Sequence, residues 1–229
     1  MTRKLLAALL ALLMIALPAM AEADLTVQGT ATVLMDADRA TIRVGVRDNA
    51  TEVLEAQRSV NARIDAIVEA LCAKGIARED ISTDSIGIYP NYDYSGETER
   101  ITGYTAFNTI SAVTADIENA GQYIDAAFEA GANTLDGVIF SASDTQDAYN
   151  QALAQAYANA LSKAGALSAA MGMKLGDVDA VREGASGGYS GPVLYAKAES
   201  TAADSTRVLA SQLQISATVE VEFELVKGD

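Results

Sequence analysis

Between Gln212 and Leu225 the sequence alternates without a break. Leu213, Ile215, Ala217, Val219, Val221, Phe223 and Leu225 take every second place, and Gln212, Gln214, Ser216, Thr218, Glu220, Glu222 and Glu224 take the others. A side-chain period of two belongs to a β-strand, here with one apolar and one solvated face. Extended, the run would span about 46 Å, where a common strand has about 5–6 residues. A strand of that length must bend, bulge or serve two partners, and its apolar face needs a covering layer.

The rest of the chain supplies such layers. Leu25, Val27, Gly29, Ala31 and Val33 alternate with polar residues, as do Ala40, Ile42, Val44 and Val46 after the turn Asp36-Ala37-Asp38. The two runs read as a hairpin. The period then lengthens. Val53, Gln57, Val60, Ile64, Ile67, Val68 and Leu71 follow helical spacing, with Asn49 or Thr51 as cap and Gly75-Ile76 as the stop. Strands follow over Ile81–Tyr89 and Thr102–Thr114, around a loop from Pro90 to Arg100. A helix over about 117–130 and a strand over 135–141 come next. Ser143-x-x-Gln146 reads as a capping box that opens a long alanine-rich helix with the stripe Tyr149, Leu153, Ala156, Ala160, Ala164, Leu167 and Met171. A short strand spans Val178 to Arg182. The Gly- and Ser-rich stretch 184–205 reads as a flexible arm.

The order is ββαββαβαββ, and residues 39–143 alone have the order of a ferredoxin-like unit. Alternating strands with one apolar face imply an α+β fold: a two-layer sandwich, mainly antiparallel sheet with helices on one face. Residues 22–229 form the folded part, with 22–143 and 144–229 as possible subdomains. Residues 1–21 read as a signal peptide: Arg3 and Lys4, then an apolar run from Leu5 to Leu17, then Ala19-Met20-Ala21 as the cleavage site. The run is shorter than the roughly 20 residues a membrane span needs. Cleavage after Ala21 would send the protein to the periplasm, with no transmembrane helix in the mature chain. Losing two positive charges would also take the formal charge from −15 to −17.

Composition narrows the chemistry. There is no histidine, so no histidine general base, triad or metal ligand. One cysteine, Cys72, forms no intramolecular disulfide or zinc cluster, and its place late in a helix suits a small buried apolar residue. The acidic surplus opposes nucleic-acid binding. Asn91, Asp93, Ser95, Gly96, Glu97 and Glu99 imitate the start of an EF-hand loop, but Thr102 stands where the bidentate glutamate belongs. A polar hairpin tip is the expectation there. Gly184, Gly187, Gly188 and Gly191 lack the spacing of a phosphate cradle. Glu220, Glu222 and Glu224 share one strand face and are expected to be solvated or to pair with Arg43 and Arg47 on a neighbouring strand. No catalytic, cofactor-binding or metal-binding residue is expected. Tyr89, Tyr92, Tyr94 and Tyr104 cluster in sequence around the 90–100 loop and form the candidate interface, since tyrosine is enriched at protein contacts.

Several segments, taken in order, resemble one family. They are Val27-Gln28-Gly29-Thr30-Ala31, the stretch Ala70-Leu71-Cys72-Ala73-Lys74-Gly75-Ile76, Asp80-Ile81-Ser82-Thr83 leading to Tyr89-Pro90-Asn91-Tyr92-Asp93-Tyr94, Ile101-Thr102-Gly103-Tyr104, and Gly137-Val138-Ile139-Phe140. The chain resembles bacterial exported proteins with a SIMPL domain, long catalogued as a domain of unknown function. That resemblance implies an envelope-associated α+β protein, a link to oxidative or envelope stress, and oligomers in some members. The expected function is therefore non-enzymatic: an interaction or assembly protein of the periplasm, with self-association or envelope proteins as partners. The alternative is a small-molecule or ion binder with a pocket between sheet and helices.

Overall fold

The computed structural model describes residues 23–96, 98–184, 188–193, 206–210 and 212–228. The expected signal peptide, its cleavage point and most of the 184–205 arm lie outside these residues. Among the described residues, eight strands and three α-helices follow in the order β1 (Ala23–Asp36), β2 (Arg39–Ala50), α1 (Val53–Ala73), β3 (Ile81–Asp93), β4 (Arg100–Thr114), α2 (Ala120–Glu129), β5 (Thr134–Ser141), α3 (Gln146–Ala170), β6 (Met173–Glu183), β7 (Gly188–Val193) and β8 (Gln212–Lys227). The expected α+β order is present with one addition: β7, inside the glycine-rich stretch, pairs with β8.

The strands form two sheets, β3-β4-β2-β5 and β1-β8-β6 with β7 also on β8. The pairs β2–β4, β2–β5, β3–β4, β6–β8 and β7–β8 are all antiparallel. The long β8 does serve more than one partner: its Val219–Lys227 stretch pairs with β6 and its Gln212–Ser216 stretch with β7. Two compact units result, and neither is a contiguous piece of chain. Of the described residues, the larger holds those within Thr32–Gln151 and Gly188–Ser216, and the smaller those within Ala152–Gly187 and Ala217–Asp229 together with Ala23–Ala31.

In the larger unit, α1 and α2 cover one face of β3-β4-β2-β5. Ile42, Val44 and Val46 of β2 and Ala106, Ile110 and Ala112 of β4 meet Val60, Ile67 and Leu71 of α1 and Ile124 of α2 in one core. α1 ends as its sequence demands. Gly75 has φ +110°, its N–H bonds the Cys72 carbonyl at 3.0 Å, and Ile76 N–H bonds Leu71 at 3.2 Å, a Schellman motif with Ile76 buried beside Leu71. Gly131 closes α2 in the same way. Cys72 packs half-buried against this core.

The smaller unit packs α3 on β1 and β8. Its core is Val27, Val219, Val221 and Phe223 against Ala156, Ala160 and Ala164. Gly29 lets the helix backbone close in: a Cβ there would stand 2.0 Å from the Ala156 carbonyl oxygen. Asn159 Nδ2 and Lys163 Nζ donate to the Thr30 and Gln28 carbonyls at 2.9 and 2.8 Å. Because β1 is an edge strand, these bonds satisfy acceptors that would otherwise be open to another strand.

Several local expectations are corrected. β1 and β2 are not a hairpin; they enter different sheets, because β1 turns its apolar face to α3 and β8. The expected pairing of Glu220, Glu222 and Glu224 with Arg43 and Arg47 fails for the same reason. Arg182 of β6 meets Glu220 and Glu222 instead, at 3.6 and 3.2 Å. Neither Asn49 nor Thr51 caps α1, whose N-cap position is Glu52, without a side-chain bond. Val53 is exposed, and Ala56 takes the buried place. Ser143 donates to Asp38 rather than capping α3, and Asp144 accepts the Gln146 N–H at 2.8 Å. The buried stripe of α3 is Ala148, Ala152, Ala156, Ala160, Ala164 and Ser168, while Leu167 and Met171 are 47% and 56% exposed. The close approach of β1 leaves space for methyl groups only. Strand β3 continues through Asp93, so the loop shrinks to its tip.

Candidate functional site

The face of β3-β4-β2-β5 turned away from α1 and α2 carries side chains arranged in rows across the strands. The register aligns Arg47 of β2 with Phe107 of β4, and Phe107 with Gly87 of β3. Gly87 leaves the space that the Phe107 ring occupies, since a Cβ would stand 2.5 Å from that ring. Phe107 lies across that gap and stacks on Tyr89, with centroids 5.7 Å apart and planes 18° off parallel. The Arg47 guanidinium sits 5.5 Å from the Phe107 centroid, within cation–π range. Asn133 fixes the arginine from behind: its side-chain amide accepts from Arg47 N–H at 2.8 Å and donates to Arg47 C=O at 2.7 Å. That side chain extends strand pairing by one residue beyond the start of β5.

A second row joins Asn49, Thr105 and Asn91. Thr105 Oγ1 is 2.8 Å from Asn91 Oδ1 and also contacts the Asn49 amide. A hydroxyl has one proton, so it donates to one amide oxygen and receives an N–H from the other amide. In a third row, Arg43 of β2 pairs with Asp84. The β3 register shifts between Thr83 and Ser85, so Asp84 is the bulged residue, re-aimed toward Arg43. β5 has a matching shift opposite Arg43/Val44, where Asp136 is skipped and Gly137 takes φ +134°. Asp136 accepts weakly from Thr109 at 3.4 Å. The Asp84 hydrogen bond, then its charge, with a smaller contribution from Asp136, raises the Arg43 pKa above its ordinary value.

The four tyrosines do not form one cluster. Tyr89 belongs to the Arg47–Phe107 stack and is 58% exposed. Tyr92 and Tyr94 pair with each other near the hairpin tip, with centroids 6.0 Å apart and Tyr94 72% exposed. Tyr104 is half-buried, at the alternation of the helix-covered face. The tip is a self-closed turn. Asp93 Oδ1 accepts from Ser95 N–H at 2.9 Å and from Ser95 Oγ at 2.6 Å, and these bonds lower the Asp93 pKa. Glu97 of the EF-hand-like pattern lies outside the described residues. Among the described residues no group of three or more carboxylate or thiol side chains is placed to hold a metal ion.

Sequence reading missed Arg47, Phe107 and Asn133. The first two are ordinary members of the solvated alternation of their strands, and only the cross-strand register brings them together. The available signal was Gly87, a glycine inside a strand pattern, which marks a close approach.

On this face arginine, aromatic rings and amides are already locked by their neighbours. It offers planar stacking, hydrogen-bond donors and acceptors, and a charge of either sign. No helix among the described residues is long and apolar enough to cross a membrane.

Known proteins share this sequence along most of its length. An uncharacterised protein YggE from Escherichia coli (strain K12) is 28% identical over 204 residues, covering 88% of this chain and 82% of that protein. YggE from Edwardsiella ictaluri is also 28% identical, over 87% of this chain and 85% of its own. A 26 kDa periplasmic immunogenic protein of Brucella melitensis is 26% identical over 166 residues, 70% of this chain and 66% of that protein. A family model described as SIMPL, a protein of unknown function (DUF541), matches residues 25–223. The chain belongs to the SIMPL family.

Proposed function

We propose that this protein is a non-enzymatic interaction protein of the periplasm, and that the face bearing Arg47, Phe107 and Tyr89 is where it meets a protein partner. One observation carries the reading. A half-exposed arginine–phenylalanine–tyrosine stack is held rigid by Gly87 and Asn133 on a sheet face that α1 and α2 leave bare. Arginine and tyrosine are the residue types that dominate binding energy at interfaces. A surface fixed in advance also loses little side-chain entropy on binding. The periplasmic setting rests on the signal-peptide pattern of residues 1–21 and on the name of the Brucella relative, a periplasmic immunogenic protein. The stress link implied by the family resemblance is the setting in which such binding would matter.

The test is crosslinking in intact cells, comparing wild type with Arg47→Glu and Tyr89→Ser, with light scattering of the purified proteins. Wild type is expected to yield a discrete adduct, with itself or with an envelope protein, that both substitutions abolish while circular dichroism is unchanged. Adducts that survive both substitutions, or their absence in wild type, refute the assignment of this face. Secretion is read separately, by fractionation and N-terminal sequencing, with mature protein starting at Glu22 as the expected result.

A further inference from the structure

Beyond the sheet face, the larger unit has an open sheet edge. β3 is the outermost strand of β3-β4-β2-β5 and pairs with β4 alone. Its ladder shifts at Asp84 and again between Asn91 and Tyr92, but residues 85–89 run opposite residues 109–105 without interruption. The opposite edge, β5, has eight residues and is broken at Asp136, where Gly137 takes φ +134°. In the smaller unit, Asn159 and Lys163 occupy carbonyls of β1. Among the described residues, no side chain does the same for Ile86 or Ile88 of β3.

One side chain fixes which backbone groups this edge presents. Asn133, on the β5 side of β2, bonds both the N–H and the C=O of Arg47. Along an antiparallel strand these groups alternate in direction from residue to residue. Arg47 therefore turns toward β5, and Val46 and Asp48 turn toward β4. Their partners Asn108 and Ala106 turn back to β2, which leaves Thr105, Phe107 and Thr109 turned to β3. In β3 the partners Tyr89, Gly87 and Ser85 bond inward, so Ile86 and Ile88 point N–H and C=O outward. Pro90 falls on the same outward alternation, the place where an edge strand tolerates a residue without an N–H. The N–H groups of Ile86 and Ile88 and the carbonyls of Ile86, Ile88 and Pro90 are thus open. The Ile86 side chain is 60% exposed on the helix-covered side, beside Gln57 and Asn61 of α1, and Tyr89 is 58% exposed on the other. An unbroken edge with exposed apolar side chains on both faces is a template for a further strand.

We propose that this edge takes an extended segment of another polypeptide as an added antiparallel strand, with aliphatic residues at alternate positions and neutral or basic flanks. Two residues of the segment, with one between them, exchange N–H···O bonds with Ile86 and Ile88. Directly opposed residues share a sheet face, so these two side chains lie beside Ile86 and Ile88 and are the aliphatic ones. The residue between them lies opposite Gly87, on the face of Phe107 and Tyr89. The formal charge of −15 sets the preference for neutral or basic flanks over acidic ones. The edge goes beyond the reading of the open face: its bonds come from the β3 backbone, and Arg47 has no part in them.

The test is amide NMR of the full mature chain with a capped peptide of sequence Lys-Thr-Ile-Thr-Ile-Thr-Lys. In the free protein the Ile86 and Ile88 N–H groups should exchange with solvent rapidly, and those of Gly87 and Tyr89 slowly. The peptide is expected to shift the β3 amides saturably below about 1 mM and to slow exchange at Ile86 and Ile88. Methylating the backbone nitrogens of its two isoleucines, which leaves the protein unaltered, should weaken binding by about tenfold or more, whereas methylating the central threonine nitrogen should not. Replacing its lysines by glutamates should weaken it by about threefold or more at low salt. Ile86→Pro should weaken the peptide by about tenfold or more while Gly87 and Tyr89 stay protected, and Arg47→Glu should leave it within about twofold. No saturable shift at millimolar peptide overturns the proposal, as does equal binding of the isoleucine-methylated peptide, of the glutamate-flanked peptide or by Ile86→Pro. Protection of Ile86 and Ile88 that rises with protein concentration alone also overturns it, since a second copy of the chain then holds the edge.

Discussion

Gly29→Ala is the sharpest perturbation of the smaller unit, because a single methyl group meets backbone on the far side. The new Cβ would lie 2.0 Å from Ala156 O, 2.8 Å from Ala160 N and 2.9 Å from Ala160 Cβ. An unstrained contact needs about 3.5 Å, so α3 and β1 must separate by about 1.5 Å at this point. That displacement would carry the Asn159–Thr30 and Lys163–Gln28 bonds, at 2.9 and 2.8 Å, beyond hydrogen-bonding range. Overpacking a tight interior costs about 1–3 kcal/mol, and two lost bonds add about 0.5–1.5 kcal/mol each. The expected destabilisation is therefore about 2–6 kcal/mol. Urea denaturation followed by far-ultraviolet circular dichroism measures it, with Gly165→Ala on the same helix as a control that meets nothing within 4 Å. The double variant Gly29→Ala with Ala160→Gly should recover little, since the worst clash is with a carbonyl that no side-chain truncation removes. A Gly29→Ala protein within about 0.5 kcal/mol of wild type would refute the close approach of β1 and α3.

The other predictions concern caps, buried polarity and pH. Gly165→Ala should itself stabilise by about 0.5–1 kcal/mol, because the helical glycine loses backbone freedom without gaining a contact. Gly75→Ala should destabilise by about 1–2 kcal/mol through strain alone, since its φ of +110° is unsuitable for a side chain although space is open. Both are read by thermal unfolding. Asn108→Leu should raise stability by about 1–2 kcal/mol, by removing a buried acceptor without a donor. A loss of stability would show that the oxygen is satisfied in solution. The Ser59 hydroxyl, the Asn49 N–H and Arg63 lower the Asp48 pKa, with Ser59 the largest contributor. Stability from this carboxylate is present above the unfolded-state pKa and is lost as pH falls through the lower folded value. Ser59→Ala should move the Asp48 titration upward in a carbon-detected NMR experiment and shrink that acid-side loss.

Most of the larger unit was legible because its strands and helices carry contrast. Ile42, Val44 and Val46 alternate with polar residues, and Val60, Ile64, Ile67 and Leu71 stand out on α1, so period and face follow directly. α3 lacks that contrast. Alanine appears on all sides, so its stripe was sought among its few large residues, whereas Gly29 admits only the small ones. The β1–β2 hairpin was misjudged because sequence shows that two neighbouring strands alternate, but not which distant strand takes one of them. The candidate site was partly legible for a similar reason. Tyrosines are visible as a composition; the Arg47–Phe107–Tyr89 row exists only once three strands are in register. Asn108 did leave a trace, as the one amide on the apolar alternation Ala106, Ile110, Ala112. Its unmet acceptor depends on what surrounds it, which no spacing reveals.

The interleaving of the two units bears on the order of folding. Strands β2 to β5 and both helices of the larger sheet are complete by Ser141, so this sheet can form without waiting for β8. The smaller unit cannot: β1 leads the described chain, yet its sheet neighbour β8 comes at the opposite end. The Thr32–Ser216 hydroxyl contact at 2.9 Å already closes a separation of 184 residues. Closing so long a loop is slow and entropically costly before the contacts form that repay it. β1 must therefore stay unpaired until β8 is in place. Through that interval its edge lacks Asn159 and Lys163, and it is during folding, rather than after it, that this edge is open to wrong partners.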